Sequence, residues 1–86
     1  MRLKVDVPVS VIFFSDKIGS KFRPLKLRWD GREYTISRVG LHHTYRTGRT
    51  LFHIFSVVGD GVFFRLKFNT DNLIWRLEEV SDGQTD

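Results

Sequence analysis

Apolar and polar residues alternate along most of this chain, and that property restricts what it can fold into. In "RLKVDVPVSVIFF", residues 2–14, Leu3, Val5, Val7, Val9, Val11 and Phe13 fall on one side of an extended backbone, because successive strand side chains point to opposite faces. "PLKLRW" at 24–29 alternates again, and "LIWRLEEV" at 73–80 reads as the last strand. No stretch sustains the period of a helix. Turn residues punctuate the runs at Asp30-Gly31, Thr47-Gly48, 59–61 and 69–72. Asp-Gly between alternating runs marks a type I′ hairpin. Pro8 cannot donate a ladder hydrogen bond, so the first strand is expected at an edge or broken there. The reading is all-β: a small antiparallel meander of five or six strands. Residues 1–80 form one domain, residues 15–21 a loop, and residues 81–86 a disordered C-terminal tail.

Turn lengths assign faces, since register decides which side chains share a side. A two-residue loop at Thr47-Gly48, a three-residue loop at 59–61 and a four-residue loop at 69–72 give one inward face of Leu41, Phe52, Ile54, Phe64, Leu66, Phe68, Leu73, Trp75 and Leu77. The outward face is then His42, Thr44, Arg46, His53, Phe55, Arg65, Lys67, Ile74 and Arg76. In the strand starting at Arg32, Tyr34 and Ile36 point inward at even positions, whereas Leu41, His43 and Tyr45 require odd ones. A bulge near Gly40, with positive φ, supplies the change of phase and lets the strand turn a corner. The sheet is therefore expected to curl into a barrel of SH3 or OB size.

Charge bears on partners. The net charge is +4, but residues 1–50 hold eleven Lys/Arg against four Asp/Glu, and residues 51–86 three against six. The basic half can attract phosphate, nucleic acid or anionic lipid, or simply keep the surface soluble. There is no cysteine, which excludes disulfides and thiolate chemistry and fits a reducing compartment. "VPVSVIFF" at 7–14 is too short to span a membrane or act as a signal sequence, so a cytoplasmic location is expected.

The segment "LHHTYRTGRTLFHIF", residues 41–55, concentrates the chemistry. His42 and His53 oppose each other in the inferred register, but a zinc site needs three or four protein ligands. Lys67, Thr44 and Arg46 are the neighbours, so neither metal nor other cofactor is expected. Catalysis is not expected either. No acid lies near the histidines to orient a base, and Glu78 and Glu79 alternate faces on a strand. Two non-enzymatic readings remain. The outward apolar residues Phe55, Val57, Phe63 and Ile74 exceed what a solvated face shows, which points to a protein interface with another protein or a second copy. As the alternative, His42, Arg46, Arg49, His53, Arg65, Lys67 and Arg76 form a basic strip beside Phe55, suited to single-stranded nucleic acid.

Pro24, Trp29, Gly31, Arg32, Tyr34 and Ile36, with a late Trp75, make a pattern that resembles small uncharacterised bacterial all-β proteins. In these a Pro precedes a Trp-x-Gly-Arg-x-Tyr-x-Ile hairpin, and the meander ends in a Trp-containing strand. The resemblance covers most of residues 7–80. It implies a compact bacterial β-domain and no activity.

Overall fold

A computed structural model describes residues 2–17 and 21–82. Six antiparallel strands follow in order: β1 (Arg2–Ser15), β2 (Phe22–Trp29), β3 (Arg32–Thr47), β4 (Thr50–Gly59), β5 (Val62–Asn69) and β6 (Ile74–Ser81). Each pairs with the next and β1 returns to β6, so the expected all-β meander closes into a barrel. Ser15 and Ser81 still belong to strands. Most of the expected tail (83–86) and the middle of the expected loop (18–20) lie outside the described residues.

Two long strands make the closure, each serving two partners along its length. β1 pairs with β6 through residues 2–9 and with β2 through residues 10–15. β3 pairs with β2 through residues 32–35 and with β4 through residues 36–47. β1 bends at a bulge where Asp6 takes a φ of 48°. Arg76 fastens this bulge: its Nε donates to the Asp6 carboxylate at 2.9 Å and its Nη2 to the Asp6 carbonyl at 2.7 Å.

β3 bends at two bulges where one was expected. Its register slips between Ile36 and Arg38, and again between Val39 and Leu41. The first slip changes the inward parity and the second restores it. Tyr34, Ile36, Val39 and then His42 therefore face the interior, while Leu41 is 54% exposed. Gly40 lies in the second bulge as expected, but without positive φ, and a Cβ there would rest 3.5 Å from the Ser56 carbonyl oxygen. The tight contact belongs to Gly59, where a Cβ would lie 2.9 Å from the carbonyl oxygen of Thr35.

The turns explain which expected faces hold. Asp30-Gly31 is the I′ turn foreseen, with φ of 55° and 75°. Asp60-Gly61 repeats it, with φ of 52° and 76°, so Gly59 pairs with Val62 across a two-residue loop rather than the three-residue loop expected. That single residue reverses β3 and β4 relative to β5, because a one-residue slip exchanges the two faces. Phe55 now opposes Leu66, Val57 opposes Phe64 and His53 opposes Phe68. The other two turns differ from expectation by two positions, which leaves parity unchanged. Thr47 pairs with Thr50 around Gly48-Arg49, and Asn69 pairs with Ile74 around residues 70–73. Leu73, expected inside, lies in that last loop and is 69% exposed.

The core is Leu27, Tyr34, Phe55, Val57, Phe64, Leu66, Phe68, Trp75 and Leu77, with Val5, Val7, Val9 and Val11 of β1 packed against it. At one end of the barrel Tyr34 meets Phe64 edge-on at 4.8 Å, with the Arg32 guanidinium 4.8 Å above the Tyr34 ring. At the other end the barrel mouth is aromatic. Phe68 and Trp75 lie 4.7 Å apart, and Phe13 and Phe22 pack over them.

Candidate functional site

The β3–β4 hairpin carries most of the residues the sequence singles out, and it offers three distinct surfaces. Its inner face closes the aromatic mouth. Phe55, expected on the exposed sheet face, is 0% exposed and belongs to the core, as does Val57. Both are corrected from interface to interior positions, and the cause is the turn at Asp60-Gly61. His42 stacks flat on Phe55 at 4.1 Å, and Phe22 meets His53 edge-on at 5.0 Å.

His42 and His53 are thus brought together, diagonal rather than directly opposed, with His42 Nε2 2.8 Å from His53 Nδ1. At that distance the rings share one proton in a hydrogen bond. Both titrate below the ordinary histidine value. For His42 the cause is burial of the ring and then the neighbouring His43; for His53 it is burial and then His42. Burial thus disfavours the charged form of both rings. No group of three or more metal-binding side chains occurs among the described residues. Beneath the mouth, the buried indole Nε1 of Trp75 has no hydrogen-bond partner.

The outer face joins β3 to β6 and holds part of the basic strip. Tyr45 stacks on Phe52 at 5.2 Å, and Lys67 Nζ lies 4.3 Å from the centre of the Phe52 ring. Beside them is a shallow cleft of about 270 Å³ lined by Phe52, Lys67, Asn69, Asn72, Ile74 and Arg76. The strip is not continuous. Arg65 is bound to Glu78 at 3.0 Å and Arg76 to Asp6 at 2.9 Å. Arg49 sits in the hairpin turn and Arg46 on the inward parity of β3, while His42 and His53 belong to the mouth. The seven expected nucleic-acid contacts therefore divide among the outer face, the mouth side of the hairpin and its turn. Phe63 and Ile74 do face outward, but they sit at opposite ends of the β5–β6 pair, roughly 20 Å apart at strand rise. They do not form one patch.

The third surface was not anticipated. Beyond Thr35, β3 pairs only with β4 among the described residues. β2 leaves β3 at Lys26, while β1 continues along the other edge of β2 to Phe22. Among the described residues the backbone of 36–47 therefore presents an unpaired edge, and Gly40 through Thr47 are exposed at every position. The sequence signal for this was length: a strand of sixteen residues cannot be matched by an eight-residue neighbour.

Comparison with protein-family models, with curated proteins and with solved structures finds no match to this chain. Among the described residues no helix is long and apolar enough to cross a membrane.

Proposed function

We propose that this protein is a non-enzymatic interaction module that binds a protein partner by adding the partner's strand to the edge of β3. The observation that carries this reading is the unpaired, exposed run of β3 past Gly40. Such an edge displays N–H and C=O groups that an extended segment can complete, with side-chain contacts on alternate positions supplying specificity. Leu41 and Tyr45, 54% and 38% exposed, flank the edge as apolar anchors. They replace Phe55 and Val57 as the residues of the interface. A cysteine-free chain suits the reducing cytoplasm.

The test is an NMR titration of the labelled protein with short extended peptides of varied apolar pattern. Shifts confined to residues 40–47 support strand addition. Shifts confined to the barrel mouth or the outer face, or no binding by any peptide, refute it.

One arrangement favours a second reading, single-stranded nucleic acid on the outer face. The Tyr45–Phe52 stack lies under Lys67 and beside a cleft with no carboxylate in its lining. The side-chain oxygens of Asn69 and Asn72 already accept turn amides, so their amide groups remain as donors. A base on the aromatic pair with its phosphate toward Lys67 uses that chemistry. Affinity for short oligonucleotides should fall steeply with salt, and Lys67→Ala should lower it about equally for all sequences. No binding tighter than about 10⁻⁴ M at physiological salt ends this reading.

A further inference from the structure

The edge of β3 has a symmetry of its own. Leu41, His43 and Tyr45 follow at alternate positions on the outer side of the hairpin, and all three are exposed. Leu41 and Tyr45 are equally distant from His43 along the strand. We propose that β3 pairs antiparallel with β3 of a second copy of this chain, in the register that sets His43 opposite His43. This rests on the strand-accepting reading of β3 and names the partner.

In that register Leu41 opposes the partner's Tyr45, and Tyr45 opposes the partner's Leu41. Aromatic–aliphatic pairs directly across a sheet are favourable contacts. Each new pair would extend the existing stack of Tyr45 on Phe52, so one apolar band would cross the joint. On the other face His42 meets the partner's Thr44. Arg46 meets the partner's Gly40 at the bulge, so the two Arg46 side chains do not oppose each other.

Neighbouring registers lose these features. Centring on Thr44 sets Arg46 against His42 and Leu41 against Thr47, with no apolar pair. Centring on His42 sets Tyr45 against Val39, whose side chain packs inward beyond the bulge. Directly opposed residues share a face in a continuous sheet, so registers that match odd with even positions are excluded. The interface is isologous and closes on itself as a two-fold dimer.

The absence of cysteine makes the register readable. Opposed residues in an antiparallel pair have Cα atoms about 4.5 or 5.5 Å apart, within disulfide range, whereas identical residues off the axis are too far apart. Single variants His42→Cys, His43→Cys and Thr44→Cys are oxidised mildly and run without reductant. A covalent dimer is expected for His43→Cys alone, and a covalent heterodimer when His42→Cys and Thr44→Cys are mixed. Sedimentation of the unaltered chain should show a dimer, and Leu41→Lys with Tyr45→Lys should weaken it at least about 100-fold. Cross-linking at Thr44 and not His43, or a monomer at every concentration, overturns the proposal. If the chain is monomeric yet peptides still shift residues 40–47, self-pairing fails and strand addition stands. If neither occurs, both fail.

Discussion

The barrel leaves two long outer edges, and they are finished differently. The first half of β1 pairs only with β6 on one side, among the described residues. This half of β1 carries a bulge at Asp6 with positive φ, Pro8 without an N–H, and the charges of Arg2, Lys4 and Asp6, of which Arg2 and Asp6 pair with Glu79 and Arg76 of β6. Those are the devices by which sheets refuse further strands. The second half of β3 has few of them past Gly40. Residues 41–47 contain no Pro and no bulge, and Arg46 is the one Lys or Arg. One edge carries features that oppose strand addition and the other carries few of them, within a molecule of 86 residues. The open edge is held out by a hairpin anchored on both sides. Its inner face stacks on the core through His42 and Phe55. Its tip is tied to the β5–β6 loop, where Thr70 donates to the Leu51 carbonyl from both N and Oγ1, and Thr50 Oγ1 donates to Asp71 at 2.6 Å.

The contrast breaks first if the hairpin loses its anchor. Phe55→Ala should cost about 3–5 kcal/mol in chemical denaturation, as deletion of a fully buried aromatic does. A cost under 1 kcal/mol would mean that the hairpin is not seated as described. Next in size is the corner that sends β3 away from β2. Gly59→Ala forces a Cβ against the Thr35 backbone and should destabilise by about 1–3 kcal/mol. Gly40→Ala, with ordinary contact distances, should stay within about 0.5 kcal/mol. A larger cost at Gly40 than at Gly59 would return the bend to Gly40.

Removing protection from the closed edge sharpens the comparison from the other side. Pro8→Thr should change stability by less than about 1 kcal/mol while making β1 a second site of association, seen as species beyond the dimer in sedimentation. No new species would mean that the Asp6 bulge suffices by itself. The smallest effect is with pH and belongs to the hairpin alone. His42 and His53 titrate below the ordinary value of 6.5 because burial disfavours their charged forms. The stability they contribute is present in full above about pH 6.5 and is lost as pH falls through their lowered values. Denaturation midpoints should decline from pH 7.5 towards pH 5. A double change of His42 and His53 to Gln should flatten that slope, and an unchanged slope would remove the pair as its source.

Much of this arrangement was legible in the residues. Alternation assigned five or six strands, and Asp30-Gly31 marked its turn. Phe64, Leu66, Phe68, Trp75 and Leu77 are buried as their parity requires. The site was less legible because faces depend on loop lengths modulo one residue. Asp60-Gly61 carries the same I′ signal as Asp30-Gly31, and reading it as such would have placed Phe55, Val57, His42 and His53 inward. The first bulge, at Ser37, has no comparable mark. Ser37 Oγ donates to the Val58 carbonyl across the kink, and a serine in an alternating strand does not announce that bond. The open edge is a property of two strands of unequal length, which no short motif encodes.

Among the described residues the outer half of β3 has one satisfied edge and one open edge. Amide hydrogen exchange on residues 41–47, resolved by residue, tests it most directly. In an antiparallel pair alternate N–H groups point to the same side. At high dilution every second amide from 41 to 47 should exchange slowly through its bond to β4, and those between should exchange quickly. At high concentration the fast set should become slow. Uniformly slow exchange of all these amides at high dilution would show that the edge is already paired within one chain, and would contradict the account.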